Sequence, residues 1–182
     1  MPERSSGQPS RPPRIAVNVS LAQLQRRDFV DQVKGALEPV DRAGERIDLG
    51  ITESMLMEDI NGTIDKLKSM QSLGLHIALD DFGTGYSSLS YLARLPINSL
   101  KIDRSFVMQM SKGPEQMAIV STVISLGRAL NLKVVAEGVE TEEQANLLRL
   151  LRCDEAQGYL FGRPVPLREI EQMLASSVGE GG

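Results

Sequence analysis

Short apolar and β-branched runs recur along the chain at regular intervals. The six runs are RIAVNVS (14–20), RIDLGI (46–51), LHIALD (75–80), INSLKID (97–103), LKVVAEG (132–138) and DEAQGYLF (154–161). Each run is typical of a β-strand, and each is followed by a helical pattern of apolar residues. Strands that alternate with helices indicate a parallel sheet with helical crossovers.

Several positions carry the signals of helix ends. Ser20 with Gln23 and Thr141 with Gln144 have the spacing of a capping box, and the first pair precedes one helical pattern that runs to Leu37. Further boundaries are predicted at Pro114 (a start), at Gly74 (an end) and at Ser87 or Ser88 (the cap of a helix with Leu89, Leu92 and Leu95).

Six strands leave two architectures open, a doubly wound open sheet or a barrel. A closed (β/α) barrel needs eight strands and typically about 250 residues. The chain has 182 residues and six strand patterns. If it is a barrel, two strands are missing.

Composition narrows the class of protein. Hydrophobic residues make up 41% and charged residues 24%, which is an ordinary balance for a soluble domain. The net charge of −4 argues against a general nucleic-acid binder, and no apolar run approaches a membrane span. Cys153 is the single cysteine, so no internal disulfide can form, and a cytoplasmic location is expected.

Polar residues mark the ends of runs that are otherwise apolar. They are Asn18, Asp80, Asp81, Lys101, Asp103, Glu137 and Gln157. Barrels and open α/β sheets place their chemistry at the carboxyl ends of their strands. Several acids with one amide and one lysine suggest oxygen ligands for hard divalent cations. Taken singly, each residue could instead cap a helix or form an ion pair, and the lysine could form a Schiff base.

The stretch DDFGTGYSSL at 80–89 places two acids before a glycine loop. Gly83 and Gly85 permit backbone angles that other residues rarely adopt. A helix cap alone would not need two preceding acids. A loop beside a metal site would use both of them.

At these residues the chain resembles the EAL family, the bacterial cyclic-di-GMP phosphodiesterases. The matching stretches, from about residue 14 to 167, are VNVS, ITES, DDFGTGYSSL, KIDRSFV, VVAEGVET and QGYLFGRP. The resemblance implies a modified (β/α)8 barrel. It also implies a site of two divalent ions, Mg²⁺ or Mn²⁺, that hydrolyses a phosphodiester.

The resemblance implies a role for each matching polar residue. Asn18, Asp80 and Asp81 are expected to ligate metal, with Asp80 between two ions. Lys101 and Glu137 are expected to be catalytic, the first holding or polarising the attacking water and the second activating or orienting it. The supporting residues are Glu53, which holds the glycine loop, Gln157, which positions part of the shell around the water, and Asp103.

Two departures from the family pattern stand out. The Glu-Ala-Leu motif that names the family does not occur in the 182 residues. The resemblance therefore implies that the first two strands of the family barrel and a phosphate-binding arginine are missing. Gly50 occupies the position of a family metal-ligand glutamate. A bulge or a neutral change would explain a glycine there, but neither supplies a carboxylate.

These departures favour an incomplete TIM-type barrel of six parallel strands with outer helices. The chain is expected to be a catalytically inactive EAL-family protein of cyclic-di-GMP signalling that acts through binding or protein interaction. The alternatives are an active phosphodiesterase completed by another chain, and a gene fragment. The expected boundaries are a disordered lead-in at 1–13, the partial EAL domain at 14–175 and a flexible tail at 176–182. The expected partners are cyclic-di-GMP and a second copy or another protein that covers open strand edges.

Overall fold

The computed structural model of the protein describes residues 14–57, 60–83 and 92–179. Within these ranges lie six parallel strands: β1 (Ile15–Asn18), β2 (Ile47–Thr52), β3 (His76–Phe82), β4 (Ser99–Ile102), β5 (Lys133–Ala136) and β6 (Glu155–Ala156). Strands that follow one another in sequence are also neighbours in the sheet, in the order β1 to β6. The sheet curls into part of a barrel, which confirms the predicted fold class.

Seven α-helices accompany these strands in the described ranges. They are α1 (Leu21–Gln25), α2 (Phe29–Leu37), α3 (Ile60–Ser72), α4 (Arg104–Gln109), α5 (Pro114–Ala129), α6 (Glu142–Leu150) and α7 (Leu167–Gly179). Short 3-10 turns occur at Ala43–Arg46, Glu53–Met57 and Met110–Lys112. No helix in the described part of the chain is long and apolar enough to cross a bilayer.

The predicted capping boxes at Ser20 and Thr141 are both present, with Gln23 and Gln144 returning the second bond of each. Pro114 begins α5, and Gly74 lies just beyond the end of α3 with a positive φ of 86°. The predicted cap at Ser87 or Ser88 lies outside the described residues. Local capping chemistry therefore places most of the helix ends that the sequence analysis identified.

The prediction of a single helix after β1 is wrong, because the structure has two helices there. Arg26 leaves the helical region with φ −61° and ψ 139°, which ends α1. The Lys66 ammonium of α3 then donates to the carbonyl oxygens of Leu24 (2.6 Å) and Arg26 (3.1 Å). A cation at the last carbonyls satisfies acceptors that the helix itself leaves open.

The sixth strand is much shorter than its apolar run. Only Glu155 and Ala156 pair with β5. The backbone then bonds the turn after β5, because Val139 N–H donates to the Gln157 oxygen and the Val139 oxygen accepts from Leu160 N–H, each at 3.0 Å. At the C-terminal end, α7 runs to Gly179, which lies inside the segment expected to be a flexible tail. The expected lead-in at residues 1–13 lies outside the described residues.

The core lies between the helices and the outer face of the sheet. Alternate strand residues supply it, and the most buried are Ile51, Ile77, Leu79, Leu100, Ile102 and Val134. Helices α3, α4, α5 and α6 cover them with Leu67, Met70, Val107, Val120 and Leu148. Alternation directs every second strand residue to the opposite, concave face, where the polar residues lie.

Leu100 tests the dependence of the fold on this core. Its side chain is fully buried at the centre of β4. Leu100→Ala is expected to lower the free energy of unfolding by about 2–5 kcal/mol, through lost apolar burial and a residual cavity. Urea denaturation followed by circular dichroism measures the change.

Leu150→Ala is the matched control, because that leucine is 79% exposed and should change stability by less than about 0.5 kcal/mol. Equal losses in the two variants would contradict the assignment of the core.

Candidate functional site

Polar side chains line a cavity of about 380 Å³ on the concave face of the sheet. The lining residues are Ala16, Asn18, Val19, Gly50, Thr52, Asp80, Asp81, Lys101, Glu137 and Gln157. Most of them occupy the carboxyl ends of their strands or the turns that follow. The structure thus brings together six of the predicted site residues and the Gly50 position.

Asp80 and Asp81 are neighbours in one strand, yet both line the cavity. In a regular strand, adjacent side chains point to opposite faces. Here the pairing of β3 with β4 shifts register between Leu79 and Phe82, and Asp81 adopts a left-handed φ of 55°. This bulge turns the second acid to the face of the first, and a non-glycine residue in that region carries a conformational cost.

Lys101 of β4 joins an acid of β3 to an acid of the turn after β5. Its ammonium nitrogen lies 3.0 Å from Asp80 Oδ1 and 2.6 Å from Glu137 Oε1. Gln157 adds a third contact, because its side-chain amide donates to Glu137 Oε1 at 2.7 Å. Glu137 is therefore oriented from two sides, and Lys101 neutralises part of the negative charge.

The protonation of this cluster follows from burial and charge. Burial raises the pKa of Asp80, the adjacent Lys101 opposes that rise, and the charges of Glu137 and Asp81 add to it. Burial alone would lower the pKa of Lys101. Its hydrogen bonds to Glu137 and Asp80, with their charges, outweigh burial and raise that pKa. Lys101 is therefore a firmly protonated ammonium at neutral pH.

Gly50 lies directly between two potential oxygen ligands. It pairs with Asn18 across β1 and β2. A Cβ atom at position 50 would stand 2.4 Å from Asp80 Oδ2 and 2.8 Å from Asn18 Oδ1. These oxygens converge on the space that a side chain at this position would occupy, so Asp80 partly fills the place of the glutamate that the family pattern predicts.

Glu53 contacts the first residue of the glycine loop. Its side chain is buried, and Oε2 accepts a hydrogen bond from Gly83 N–H at 3.1 Å. This bond has the geometry expected of an anchor for the base of the loop. Residues 84–91 lie outside the described ranges, so the expectation that Glu53 holds the whole glycine loop stays a prediction.

Asp103 serves α4 and does not line the cavity. It is the N-cap of that helix, accepting from Ser105 N–H at 3.0 Å and from the Ser105 hydroxyl. The structure thus gives this residue the capping role that the sequence analysis left open for any single acid. Thr52, which the sequence analysis missed, lines the cavity two residues beyond Gly50. Strand alternation alone would have identified it.

The donor set around Gly50 is short of carboxylates for one of two hard cations. Mg²⁺ takes six oxygen ligands, and a protein usually supplies one or two of them as carboxylates, while waters and substrate phosphates complete the shell. Asn18 and Asp80 offer converging oxygens, but Gly50 offers none, and Asp80 is already engaged by Lys101. In the described ranges, no three His, Cys, Asp or Glu side chains are grouped so that they could hold a metal ion.

A curled parallel sheet with acids and one lysine at the carboxyl ends of its strands defines a barrel-type α/β protein with an enzyme-like cavity. The family model described as "EAL domain" matches residues 3–164. The chain belongs to the EAL domain family.

Relatives of known name are similar to this chain in sequence, and those that have been solved are similar in fold. The cyclic di-GMP phosphodiesterase NbdA of Pseudomonas aeruginosa is 47% identical over 161 residues, which is 88% of this chain and 21% of that protein. The solved PaMucR phosphodiesterase in complex with c-di-GMP is 45% identical with a TM-score of 0.82, over 86% of this chain and 64% of that one. The chain thus spans about a fifth of its first curated relative.

A more distant solved structure was obtained with a metal and a nucleotide. It is the manganese and cy-diGMP complex of Klebsiella pneumoniae BlrP1, 30% identical with a TM-score of 0.74. The likeness covers 83% of this chain and 39% of that one. Divalent metal and a cyclic dinucleotide are therefore found together on this fold.

The bond from Gly83 to Glu53 can be tested by hydrogen exchange. Glu53→Ala removes the acceptor, so the Gly83 amide should exchange faster, by about tenfold if the bond contributes about 1.4 kcal/mol. Mass spectrometry or NMR across residues 80–90 measures the rate.

Ser54→Ala is a control at the next, exposed position, and it leaves the acceptor in place. Unchanged exchange across residues 80–90 in Glu53→Ala would remove the proposed anchoring role.

Proposed function

We propose that these 182 residues form an EAL module of cyclic-di-GMP signalling that does not hydrolyse the nucleotide. The module would instead act by binding another protein, with or without the nucleotide. The names of the relatives support the signalling context, because NbdA and PaMucR are called phosphodiesterases and PaMucR was solved with c-di-GMP. The geometry of the cavity supports the loss of activity.

Gly50 is the observation that carries the proposal. Two-metal hydrolysis needs both ions in a fixed geometry around an in-line displacement. The glycine leaves Asn18 and Asp80 without the carboxylate that the family pattern places between them. Mg²⁺ or Mn²⁺ would therefore bind weakly, and a displacement of about 1 Å in such a site can cost about a hundredfold in rate.

The charge of the cavity points the same way. Three carboxylates, those of Asp80, Asp81 and Glu137, face one ammonium, that of Lys101. A phosphodiester brought to this surface without strongly bound cations would meet net negative charge. Like charges at short range in a partly buried site oppose binding. Any affinity for the nucleotide should therefore be low and should depend on divalent cations.

A second candidate is an active phosphodiesterase whose site is completed by another segment or chain. One observation favours it: Lys101, Glu137 and Gln157 are assembled in mutual contact beside Asp80. These are the residues that the family resemblance implies for the handling of water. Completion would have to supply the missing carboxylates and a cation for the phosphate.

Product formation separates the two candidates. Cyclic-di-GMP is incubated with the protein and Mg²⁺ or Mn²⁺, and pGpG is followed by chromatography. No turnover is expected for the wild type or for Gly50→Glu. The new side chain would have to displace the Asp80 carboxylate, and the Glu-Ala-Leu segment would still be absent from the assay. Activity is expected when that segment is added to Gly50→Glu, in cis or in trans.

Gly50→Gln is the matched control, because it has the size of glutamate without the charge and should stay inactive with the added segment. The PaMucR phosphodiesterase serves as the positive control. Robust turnover by the unmodified chain, abolished by Glu137→Ala, would refute the inactive module and support completion by a second copy. Calorimetry with the nucleotide, with and without Mn²⁺, reports binding in the same samples.

The exposed edge strand β1 supports the proposal that the module binds another chain. On β1, Ile15 and Val17 are 66% and 43% exposed, and in the described ranges β1 pairs only with β2. An exposed apolar edge strand invites pairing with another chain. We expect the chain to self-associate or to bind a protein through this edge, which light scattering after size exclusion measures.

Val17→Lys should reduce the self-association, because charge on an edge strand opposes pairing. Leu150→Lys changes an equally apolar, exposed position on α6 and should leave it unchanged. A monodisperse, highly stable monomer at all concentrations would contradict the expectation.

A further inference from the structure

The first turn of α4 touches two turns that adjoin the acids of the cavity. One turn follows β3 and begins at Gly83. The other follows β5 and runs from Glu137 to Glu140. Arg104 and Phe106 make these contacts from a single short helix that begins directly after β4.

Phe106 packs against the turn after β3. Gly83 has a φ of 99°, and a Cβ atom there would lie 2.9 Å from Phe106 Cε2 and 3.1 Å from Cζ. The aromatic ring therefore rests on the glycine backbone. Glu53 binds the same residue through Gly83 N–H. The base of the glycine loop is thus held by the hydrogen bond that Gly83 N–H donates to Glu53 and by the Phe106 ring of α4.

Arg104 packs against the turn after β5. Gly138 has a φ of 70°, and a Cβ atom there would lie 2.2 Å from Arg104 Cγ. The aliphatic stem of the arginine thus covers the residue next to Glu137. Its guanidinium bonds Glu140 Oε1 at 2.6 Å, while Nε donates to Met108 Sδ at 3.2 Å. The arginine therefore spans the turn and is itself fixed on its helix.

Further bonds fix the turn after β5 and the first residue of α4 to the end of β4. Glu137 N–H donates to the Ile102 oxygen at 3.1 Å, which fastens the start of the turn to β4. Asp103, the N-cap of α4, follows Ile102 directly. The helix is therefore anchored at the end from which both contacts extend. A displacement of its first turn would therefore move the Phe106 contact with Gly83 and the Arg104 contact with Gly138 together.

We infer that the first turn of α4 is a brace that positions Glu137 and couples it to Gly83 at the end of β3, with Arg104 and Phe106 as its positioning residues. The brace acts through backbone turns and contacts no ligand. It is independent of whether the chain hydrolyses a nucleotide, because it concerns the placement of side chains in the cavity. Its consequence is that a change at one turn reaches the other.

The side-chain amide of Gln157 reports on Glu137, to which it donates a hydrogen bond. Its NMR resonances are assigned by their loss in Gln157→Ala. Arg104→Ala should shift these resonances and speed the exchange of the Glu140 amide. The change in rate is expected to be about two- to fivefold, which corresponds to about 0.5–1 kcal/mol for a partly exposed ion pair. Arg104→Lys, which keeps the charge and most of the stem, should restore the wild-type resonances in large part.

Coupling is tested from the other side of the brace. Phe106→Leu should speed the exchange of the Gly83 amide and also shift the Gln157 resonances, although Phe106 does not line the cavity. Leucine keeps an apolar side chain at the site, so the variant should fold.

Val107→Ala is the control, because Val107 lies on the same helix and is fully buried in the core. It should lower global stability and leave the Gln157 resonances in place. The inference fails if Arg104→Ala leaves those resonances unmoved. It fails equally if Val107→Ala shifts them as much, or if Phe106→Leu changes only Gly83.

Discussion

The contact of the Lys101 ammonium with Asp80 and Glu137 is the interaction on which the cavity depends. Carboxylates crowded at the ends of parallel strands repel one another and lose hydration, and neither cost is small in a partly buried place. One ammonium within 3.0 Å of two of them offsets part of both costs. It also links β3, β4 and the turn after β5, so the same contact fixes the geometry of the sheet edge and the charge of the site.

A cavity can be assembled without being chemically complete. The core under the strands is built from Leu, Ile and Val side chains that do not depend on the polar face. The sheet therefore keeps Lys101, Glu137 and Gln157 in mutual contact even though position 50 carries no side chain. Fold and chemistry are separable in this way, which is why membership of a family establishes the architecture more firmly than the reaction.

Much of the architecture could be predicted from the sequence, because hydrophobic runs and capping boxes are local signals. The six strands, the caps at Ser20 and Thr141 and the start at Pro114 needed only neighbouring residues. The break between α1 and α2 was not predicted, and the cation that caps the end of α1, Lys66, lies 40 residues beyond Arg26. The contact of Arg104 with Glu140 is likewise tertiary, whereas Asp103 caps its helix through a local hydrogen bond from Ser105 N–H. The polar residues at the strand ends indicated where the site lies, but the sequence did not show which of these residues line the cavity.

The bulge at Asp81 has a consequence for the chain that follows it. A strand that places Asp80 on the concave face would, by strict alternation, place Phe82 there as well. The extra residue resets that phase, and the Phe82 ring is instead buried in the core. One left-handed residue thus serves both sides of the sheet, adding a second carboxylate to the polar face and returning an aromatic side chain to the apolar one. Removing the bulge would exchange a charge for a ring at the centre of the cavity.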